Sequence, residues 1–386
     1  MNKLISILGS TGSIGITTLN VIDKKKNFFK PYIFTANKNY KIICNQIIKY
    51  KPDFFIVRNK IVLNKLKKKF RNHKTKILND FDKINTFKKS EFTISAIPGI
   101  AGLDPTIKMI KFTNKMLIAN KESIICGWNL IKTKAKKTNT QIIPIDSEHF
   151  SIFNLLYHHK IEEINKVYLT ASGGPFLNYK SAQLKKVQPT DALKHPKWKM
   201  GKKITIDSST LINKILELIE AQKLFNLPNN KVDILIHPQS LVHAIIDFKN
   251  GLKKFIYHDT SMTIPIANAI FGGKLEIKNF LKVKKKQQIS DLIFKKVDKK
   301  IFPIIKLKNR INEHPSSSII INASNEILVD HFLHKKLPFL HISKIIMDIF
   351  QHRNYKKYAI QKPKTINQIK KIDSWAREIT LKKIYR

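Results

Sequence analysis

The segment Gly9-Ser10-Thr11-Gly12-Ser13-Ile14-Gly15 is the strongest indicator of the fold of the amino-terminal part of the chain. It directly follows the apolar run Leu4–Leu8 and opens a segment with helical character. Glycines at this spacing let the backbone approach a pyrophosphate, which the first N–H groups of the helix would bind. The alternative is an ordinary tight turn between a strand and a helix, because a glycine-rich turn alone is a weak signal.

Short predicted strands and helical stretches alternate along residues 1–145. Each predicted strand is short, rich in β-branched residues and bounded by Gly, Pro, Asn or Lys. The predicted strands are Leu4–Leu8, Tyr32–Thr35, Phe54–Val57, Phe92–Ile97, Met116–Ala119 and Gln141–Ile145. Helical stretches between most of them indicate a mostly parallel sheet with helices on both faces. Residues 1–145 are therefore predicted to form an α/β, Rossmann-like domain.

The remainder of the chain is organised differently. Residues 146–270 are predicted to form an α+β domain, in which a long helix at about 211–224 lies between the strands Val167–Thr170 and Val232–Ile236. Residues 271–297 are predicted to be a linker and residues 298–386 a helical domain.

A hairpin is predicted near the end of the central domain. The strands Ala244–Phe248 and Lys253–Tyr257 flank Asn250-Gly251. This dipeptide favours a type I′ turn, which places both central residues at positive φ.

The composition is dominated by positive charge, since 72 Lys and Arg stand against 27 Asp and Glu in 386 residues, a formal net charge of +45. The charge raises the possibility of a nucleic-acid-binding protein. Lysine runs such as Lys24–Lys26, Lys67–Lys69 and Lys284–Lys286 are scattered, however, which is typical of solvated faces and not of one binding module. No specific nucleic-acid partner is therefore expected, although this field would attract an anionic substrate.

The compartment is predicted from three absences in the sequence. No uncharged apolar run reaches the eighteen residues needed for a membrane-spanning helix. The first strand follows Met1 so closely that no targeting peptide is expected. Cys44 and Cys126 fit no metal spacing and are expected to be buried thiols in a reducing, bacterial cytoplasm.

The loop after the second strand predicts the nucleotide that is bound. Asn37, Lys38 and Asn39 lie about twenty residues after the glycine turn, where an NAD site usually carries an acidic residue. A lysine and two asparagines suit the 2′-phosphate of NADP instead. The alternative is a polar loop without a ligand.

Asp146 and Glu148 follow the strand Gln141–Ile145 directly. Side chains at i and i+2 of an extended backbone point the same way, so the two carboxylates are predicted to converge at the carboxyl end of a strand. Such hard oxygen ligands suit Mg²⁺ or Mn²⁺. The alternative is a helix N-cap by Asp146 or Ser147, with Glu148 in the first turn.

Two further loops follow predicted strands. In Asn120-Lys121-Glu122-Ser123 the lysine would neutralise an enolate or oxyanion, or the segment would simply cap the next helix. In Ser172-Gly173-Gly174-Pro175-Phe176 the small residues favour a phosphate-binding nest, or form a tight turn.

Three polar segments complete the candidate site. The run His195-Pro196-Lys197-Trp198-Lys199-Met200-Gly201 indicates an exposed loop that closes over a ligand and excludes water. Asp207–Thr210 is predicted to cap a helix that carries Asn213, Lys214 and Glu217, a set suited to phosphate and metal, with a surface helix as the alternative. His237, after the strand Val232–Ile236, adds an imidazole, although a lone histidine is more often structural.

The order of these motifs resembles one known family. The motifs GSTGSIG, ANKES, DSEH, SGGPF, HPKWKMG, DSSTLINK followed by Glu217, HPQS and NASNEI occur as in the 1-deoxy-D-xylulose 5-phosphate reductoisomerases, from residue 4 to about residue 330. The resemblance implies a homodimer with an NADPH domain, a catalytic domain and a helical bundle. It also implies rearrangement of a phosphorylated sugar and reduction by NADPH to 2-C-methyl-D-erythritol 4-phosphate, for isoprenoid synthesis.

The resemblance also implies roles for individual residues. It assigns the metal to Asp146, Glu148 and Glu217, and contacts with the substrate to Ser147 and Lys121. It assigns the phosphate end to Ser172, Ser208, Asn213 and Lys214, and the closing loop to His195, Trp198 and Met200, with His237 nearby. It assigns the cofactor to the set Thr11, Gly12, Ser13, Ile14, Asn37, Lys38, Asn39, Asn120, Lys121, Glu122, Met200 and Gly201.

Three positions depart from the family pattern. Asn37 and Ile215 stand where glycine is usual, and Thr263 stands where a basic residue is common. None of them removes a charged or coordinating group that was named above for the site. An alternative function is that of another NADP-dependent oxidoreductase acting on a phosphorylated sugar, which would not need all these motifs together.

Overall fold

The computed structural model describes residues 2–84, 88–198, 200–277 and 291–385. The chain divides into two compact units, each defined by the contacts within it. The first unit contains Met1–Ser123, Trp128–Phe150 and Ser261–Lys286, and the second contains Ile124–Gly127, Ser151–Thr260 and Gln287–Arg386. The division into three domains and a linker remains a prediction, and residues 278–290 of that linker lie outside the described residues.

The strands and helices alternate along the first 145 residues. Among the described residues the strands are β1 (Lys3–Leu8), β2 (Phe29–Ala36), β3 (Phe54–Val57), β4 (Lys76–Leu78), β5 (Ser90–Ser95), β6 (Thr113–Ile118), β7 (Gln141–Pro144), β8 (Ile164–Ala171), β9 (Val232–Ile236), β10 (Val242–Phe248), β11 (Lys253–Tyr257) and β12 (Lys295–Lys296). The helices are α1 (Ser13–Asp23), α2 (Tyr40–Tyr50), α3 (Lys60–Lys69), α4 (Leu103–Ile110), α5 (Lys121–Thr138), α6 (Ser147–Leu155), α7 (Ser181–Leu184), α8 (Pro189–Ala192), α9 (Lys202–Ser209), α10 (Ile212–Phe225), α11 (Thr263–Phe271), α12 (Ser317–Leu333), α13 (Phe339–Ile349), α14 (Tyr355–Ala359) and α15 (Ile366–Ile384).

The first unit is built on a fully parallel sheet with the strand order β4-β3-β2-β1-β5-β6-β7. Its strands are buried in continuous runs, as in a sheet covered on both faces, and Ile5, Ile7, Phe34 and Phe55 have no exposed surface. The strand order reverses between β1 and β5, which opens a crevice at the carboxyl ends of the strands. The predicted Rossmann-like architecture is thus confirmed, and β4 is a strand that the sequence pattern missed.

The second unit contains a mixed sheet with the order β11-β10-β8-β9-β12. Strands β8 and β9 are parallel, and the other pairs are antiparallel. Helix α10 contacts β8 and β9, and every residue of Lys214–Gln222 is buried. Helices α12, α13 and α15 contact one another and make the carboxyl-terminal part helical, as predicted.

The hairpin of β10 and β11 is confirmed, but the predicted turn type is wrong. Asn250 does not have a positive φ, whereas Gly251 has φ +88°. The backbone N–H of Gly251 donates to Phe248 at 3.0 Å, and that of Phe248 donates to Leu252 at 2.9 Å. The strands are therefore joined by a longer loop in which only the glycine takes the left-handed conformation.

No helix within the described ranges is long and apolar enough to cross a membrane. This agrees with the hydropathy of the sequence.

The glycine turn yields a prediction about stability. A Cβ at Gly15 would lie 2.5 Å from the carbonyl oxygen of Gly9 and 2.6 Å from Cα of Ser10, both of which are backbone atoms. We expect Gly15→Ala to lower the free energy of unfolding by roughly 1 to 3 kcal/mol, as overpacking does. Urea denaturation measures this change. The matched control is Gly12→Ala, whose Cβ meets only Gly9 oxygen at 3.4 Å, and equal stability of the two variants would contradict the prediction.

Candidate active site

The glycine turn lies at the carboxyl end of β1, in the centre of the parallel sheet. The N–H groups of Gly9 and Ser10 donate to the carbonyl of Thr35 at 3.2 and 2.9 Å, which ties the turn to the end of β2. Gly12 precedes α1 and supplies no capping side chain. The first N–H groups of α1 can therefore bind an anion such as a pyrophosphate.

The loop after β2 is exposed at Asn37, Lys38 and Asn39. Asn39 also has a structural role, because its side-chain oxygen accepts a hydrogen bond from the backbone N–H of Ile42 at 3.2 Å and caps α2. Asn37 and Lys38 present an amide and a positive charge to solvent on the same sheet edge as the glycine turn.

The carboxylate of Asp146 is the centre of a polar cluster in the first unit. Its Oδ1 accepts from the backbone N–H groups of Glu148 and His149, both at 3.1 Å, so Asp146 is the N-cap of α6. The same oxygen lies 2.7 Å from Nδ1 of His149, and Oδ2 lies 3.4 Å from Nζ of Lys121. The capping alternative is thus confirmed, and it leaves the carboxylate within reach of further cations.

The geometric reason for pairing Asp146 with Glu148 was wrong. Ser147 and Glu148 belong to the first turn of α6 and not to an extended strand. The two carboxylates nevertheless approach within 4.8 Å, because the N-cap and the second helical residue lie on neighbouring positions. Ser147 donates its hydroxyl proton to Oε2 of Glu148 at 2.5 Å.

The protonation state of Asp146 follows from its neighbours. Burial alone raises the pKa of its carboxyl group, but the His149 imidazole and the Lys121 ammonium hold that pKa well below its usual range. Asp146 is therefore ionised at neutral pH, as a metal ligand must be. His149 is fully buried, and the sequence did not identify it as a candidate residue of this cluster. Its signal was the spacing of three residues from Asp146 at a helix start.

The segment at the start of α5 combines capping and charge. Asn120 caps α5 by accepting from the N–H of Ser123 at 2.6 Å, and its amide group donates to the carbonyls of Gly99 and Ile97. The capping alternative is thus confirmed for Asn120. Lys121 and Glu122 occupy the first turn and are largely buried. Strands β6 and β7 are neighbours, which is why Lys121 and Asp146 meet.

In the second unit His195 connects two serines. Its Nε2 lies 3.1 Å from Oγ of Ser172 and 3.1 Å from Oγ of Ser208. Its Nδ1 accepts hydrogen bonds from the backbone N–H groups of Lys197 and Trp198 at 3.2 and 2.9 Å. Because Nδ1 accepts, the neutral ring carries its proton on Nε2, which points at the serines.

Both glycines of the SGGPF loop take the left-handed conformation, and binding of a phosphate by this loop stays a prediction. Gly173 and Gly174 have φ values of +84° and +61°, and the N–H of Gly174 donates to Oγ of Ser172 at 3.0 Å. A Cβ at Gly174 would lie 3.2 Å from the carbonyl oxygen of Ser208, so a side chain there would press on α9. A cavity of about 430 Å³ adjoins this loop, with Lys194 and Lys197 in its wall.

The prediction that the DSST segment caps α10 is only partly confirmed: Leu211 holds the N-cap position, but the Thr210 hydroxyl accepts a hydrogen bond from the N–H of Ile212 at 3.4 Å. Asp207 and Ser208 form the last turn of α9, and Leu211, in the left-handed conformation, precedes α10. On α10 the amide of Asn213 donates to Glu217, and Lys214 forms an ion pair with Glu217. The helix is buried, which excludes the alternative of a surface helix.

The predicted closing loop and His237 also belong to the second unit. The Trp198 ring meets His243 edge-on, with centroids 6.0 Å apart, and Met200 is half-buried next to the exposed Gly201. Lys199 lies outside the described residues. His237 is buried, donates from Nδ1 to the carbonyl of Ile293 at 2.9 Å and stacks on Phe294, contacts that hold its ring in place.

His195 gives a prediction about pH. Burial, aided by the charge of Lys214, lowers the pKa of the ring to about 4. We expect the ring signals in an NMR titration to change near pH 4, with the neutral form persisting through neutral pH. Because the folded pKa lies below the usual value of about 6.5, stability is lost as pH falls from 6.5 towards 4. The His195→Asn variant identifies the signal, and a midpoint near 6.5 would contradict the assignment.

Comparison with known proteins places the chain in a family. Residues 5–127 match the profile of 1-deoxy-D-xylulose 5-phosphate reductoisomerase, residues 142–225 match its C-terminal domain, and residues 259–379 match the DXP reductoisomerase C-terminal domain. The last match reaches further than the motif resemblance, which ended near residue 330.

Similar proteins cover nearly the whole chain. The 1-deoxy-D-xylulose 5-phosphate reductoisomerase of Pelagibacter ubique is 44% identical over 97% of both chains. That of Wolbachia pipientis wMel is 38% identical over 89% of both.

Two solved structures are similar to this chain over nearly its whole length. A DOX-P reductoisomerase in complex with NADPH, fosmidomycin and magnesium has a TM-score of 0.91 at 30% identity, over 99% of this chain and 98% of that one. The enzyme from Zymomonas mobilis in complex with NADPH has a TM-score of 0.87 at 29% identity, over 100% and 99%. A fold, a motif order and a sequence that agree along the full length lead to one conclusion: the chain belongs to the 1-deoxy-D-xylulose 5-phosphate reductoisomerase family.

Proposed function

We propose that this chain converts 1-deoxy-D-xylulose 5-phosphate to 2-C-methyl-D-erythritol 4-phosphate with NADPH and a divalent metal, in isoprenoid precursor synthesis. The observation that carries the proposal is the family relationship along the full length of the chain. It is supported by the polar cluster around Asp146 in the first unit and by the group of Ser172, His195 and Ser208 in the second. NADPH, when bound, supplies the hydride that reduces the rearranged aldehyde.

The metal ligands that we propose are Asp146, Glu148 and Glu217. The ionised Asp146 and the nearby Glu148 offer hard oxygen donors, which suit Mg²⁺ or Mn²⁺. Glu217 adds a third carboxylate from the second unit, held by Asn213 and Lys214. The cation, when bound, acts as a Lewis acid towards the ketone and its neighbouring hydroxyl.

Lys121 is proposed to neutralise negative charge that develops on the substrate's oxygen. Its side chain is only 11% exposed, so its charge acts in a poorly screened environment. Ser147 is proposed to hydrogen-bond the carbon chain from the first turn of α6.

The phosphate end of the substrate is proposed to bind in the second unit. Ser172 and Ser208 offer hydroxyl groups, Asn213 an amide and Lys214 a charge, while the glycines after Ser172 offer backbone N–H groups. The neutral His195 donates from Nε2 to this group. Binding energy from the phosphate orients the reacting carbons, which lie at the other end of the molecule.

Trp198 and Met200 are proposed to close over the substrate, and His237 to support the site from nearby. Closure by a flat apolar ring excludes water from reactive intermediates.

For the cofactor we propose pyrophosphate binding by Thr11, Gly12, Ser13 and Ile14 at the start of α1. Asn37, Lys38 and Asn39 are proposed to bind the 2′-phosphate, which explains the absence of an acidic residue there. Asn120, Lys121, Glu122, Met200 and Gly201 are proposed to contact the remainder of NADPH.

A homodimer is proposed from the edge of the second sheet. Strand β11 is an edge strand, and Leu252, Phe255 and Tyr257 on or next to it are 57%, 46% and 36% exposed. An exposed apolar edge strand favours pairing with another chain. We also propose a cytoplasmic location, which the two buried cysteines Cys44 and Cys126, not joined in a disulfide, suit.

The activity is tested by following NADPH absorbance. We expect it to fall when 1-deoxy-D-xylulose 5-phosphate and Mg²⁺ are added together, and not with either one alone. Glu217→Gln should remove most of the turnover, because one metal ligand loses its charge.

The matched control for that experiment is Glu162→Gln, an exposed position of the second unit. Near-normal activity of Glu217→Gln would overturn the metal assignment. Turnover without added metal, after chelation, would favour an unrelated NADP-dependent oxidoreductase, and tight, salt-sensitive nucleic-acid binding without turnover would favour the charge-driven alternative.

The dimer is tested by light scattering during size-exclusion chromatography. The wild type should have about twice the chain mass of 44.8 kDa, and Phe255→Asp should shift it towards the monomer, because a charge would be buried at the paired edge. Tyr157→Asp, at a position 72% exposed, is the control and should not change the mass. An unaltered dimer in Phe255→Asp would contradict the assigned interface.

A further inference from the structure

The segment Asn322-Ala323-Ser324-Asn325-Glu326-Ile327 has no role in the site described above. It lies in the middle of α12, and Asn322, Ser324 and Asn325 are at most 1% exposed. Burying an amide is costly unless it is hydrogen-bonded. The contacts of these side chains are therefore informative about their purpose.

Asn325 reaches α9. Its Nδ2 donates to Oδ1 of Asp207 at 2.8 Å, in a contact that is fully buried. The other oxygen of Asp207 lies 3.0 Å from Nζ of Lys203, one turn earlier on α9. A carboxylate only accepts hydrogen bonds, so the Asn325 amide must turn its NH₂ group towards Asp207. The carboxylate of Asp207 is thus held from both sides.

Asp207 directly precedes Ser208 in the last turn of α9. The hydroxyl of Ser208 lies 3.1 Å from Nε2 of His195, and its carbonyl faces Gly174. Any rotation of this turn would move Ser208 relative to both partners. A buried carboxylate contributes little net stability, since an apolar residue of similar size often serves as well. The contribution of the Asp207 carboxylate here is to fix the orientation of the last turn of α9.

We propose that Asn325 is a positioning residue, which through Asp207 holds Ser208 in register to bind the phosphate of the substrate. This inference rests on the proposed phosphate site of Ser172, His195 and Ser208. Asn325 is fully buried and is not among the proposed substrate or cofactor contacts, so it would act through Asp207 within the second unit.

The test is a set of variants with three readouts. Asn325→Asp places two carboxylates together, and Asn325→Ala removes the donor with less risk to folding. We expect each to raise KM for the phosphorylated substrate, and the inhibition constant of inorganic phosphate, about tenfold, with a smaller change in kcat. The dissociation constant for NADPH, measured by fluorescence titration, should change little, because most of the proposed NADPH contacts lie in the first unit and Gly201 lies at the opposite end of α9 from Asp207.

The reciprocal double variant Asp207→Asn with Asn325→Asp restores one amide and one carboxylate. It should return KM and the phosphate inhibition constant to within about threefold of the wild type, since the hydrogen bond is re-formed with its direction reversed. Asn322→Asp is the control one turn earlier on α12. It should lower the melting temperature without changing phosphate inhibition.

The outcomes separate the two proposals. If Ser208→Ala weakens phosphate inhibition but the Asn325 variants do not, the positioning role is wrong and the phosphate site stands. If Ser208→Ala also leaves phosphate inhibition unchanged, the phosphate site itself is wrong. If Asn322→Asp reproduces the effect of Asn325→Asp, or if the double variant is not rescued, the effect is general destabilisation and the positioning role falls.

Discussion

The carboxylate of Asp146 is the constraint on which the first unit's polar site depends. It caps α6, pairs with His149 and faces Lys121, and the ionised form strengthens each of these contacts. A neutral carboxyl group would accept more weakly from the helix N–H groups and would attract the Lys121 ammonium less. Since β6 and β7 are adjacent parallel strands, the residues that follow them meet without any long-range adjustment. Backbone topology thus creates the electrostatic cluster.

In the second unit, the neutral imidazole of His195 is held between two serine hydroxyl groups, although the chain as a whole is strongly cationic. Burial and the charge of Lys214 keep His195 unprotonated. Lys214 in turn is paired with Glu217 on the buried helix α10. The charges near the site are therefore mutually balanced, although the chain as a whole carries +45. The excess positive charge resides mainly on exposed lysines, where ion pairs contribute little to stability.

The same balance explains why the composition was a poor guide to function. The acidic residues are few, yet Asp146, Asp207, Glu217 and Glu122 are buried or half-buried in the functional parts of the two units. Burial of a carboxylate is costly unless cations or N–H groups surround it. Their placement was a better indicator of chemistry than the net charge, which describes the solvated faces.

The sequence by itself determined the parallel sheet, the dinucleotide turn and the family, because strand periodicity, glycine spacing and motif order are local properties. It also located Asp146, His195 and Glu217 as candidates, since each follows a predicted strand or lies in a distinctive motif. The tertiary structure decided what local patterns cannot encode. It showed that Glu148 lies in a helix, that Asp207 lies in the last turn of α9, and that His149 contacts Asp146 and Asn325 contacts Asp207. Those contacts join positions as far as 118 residues apart, and only the packing of helices against one another brings such side chains within hydrogen-bonding distance.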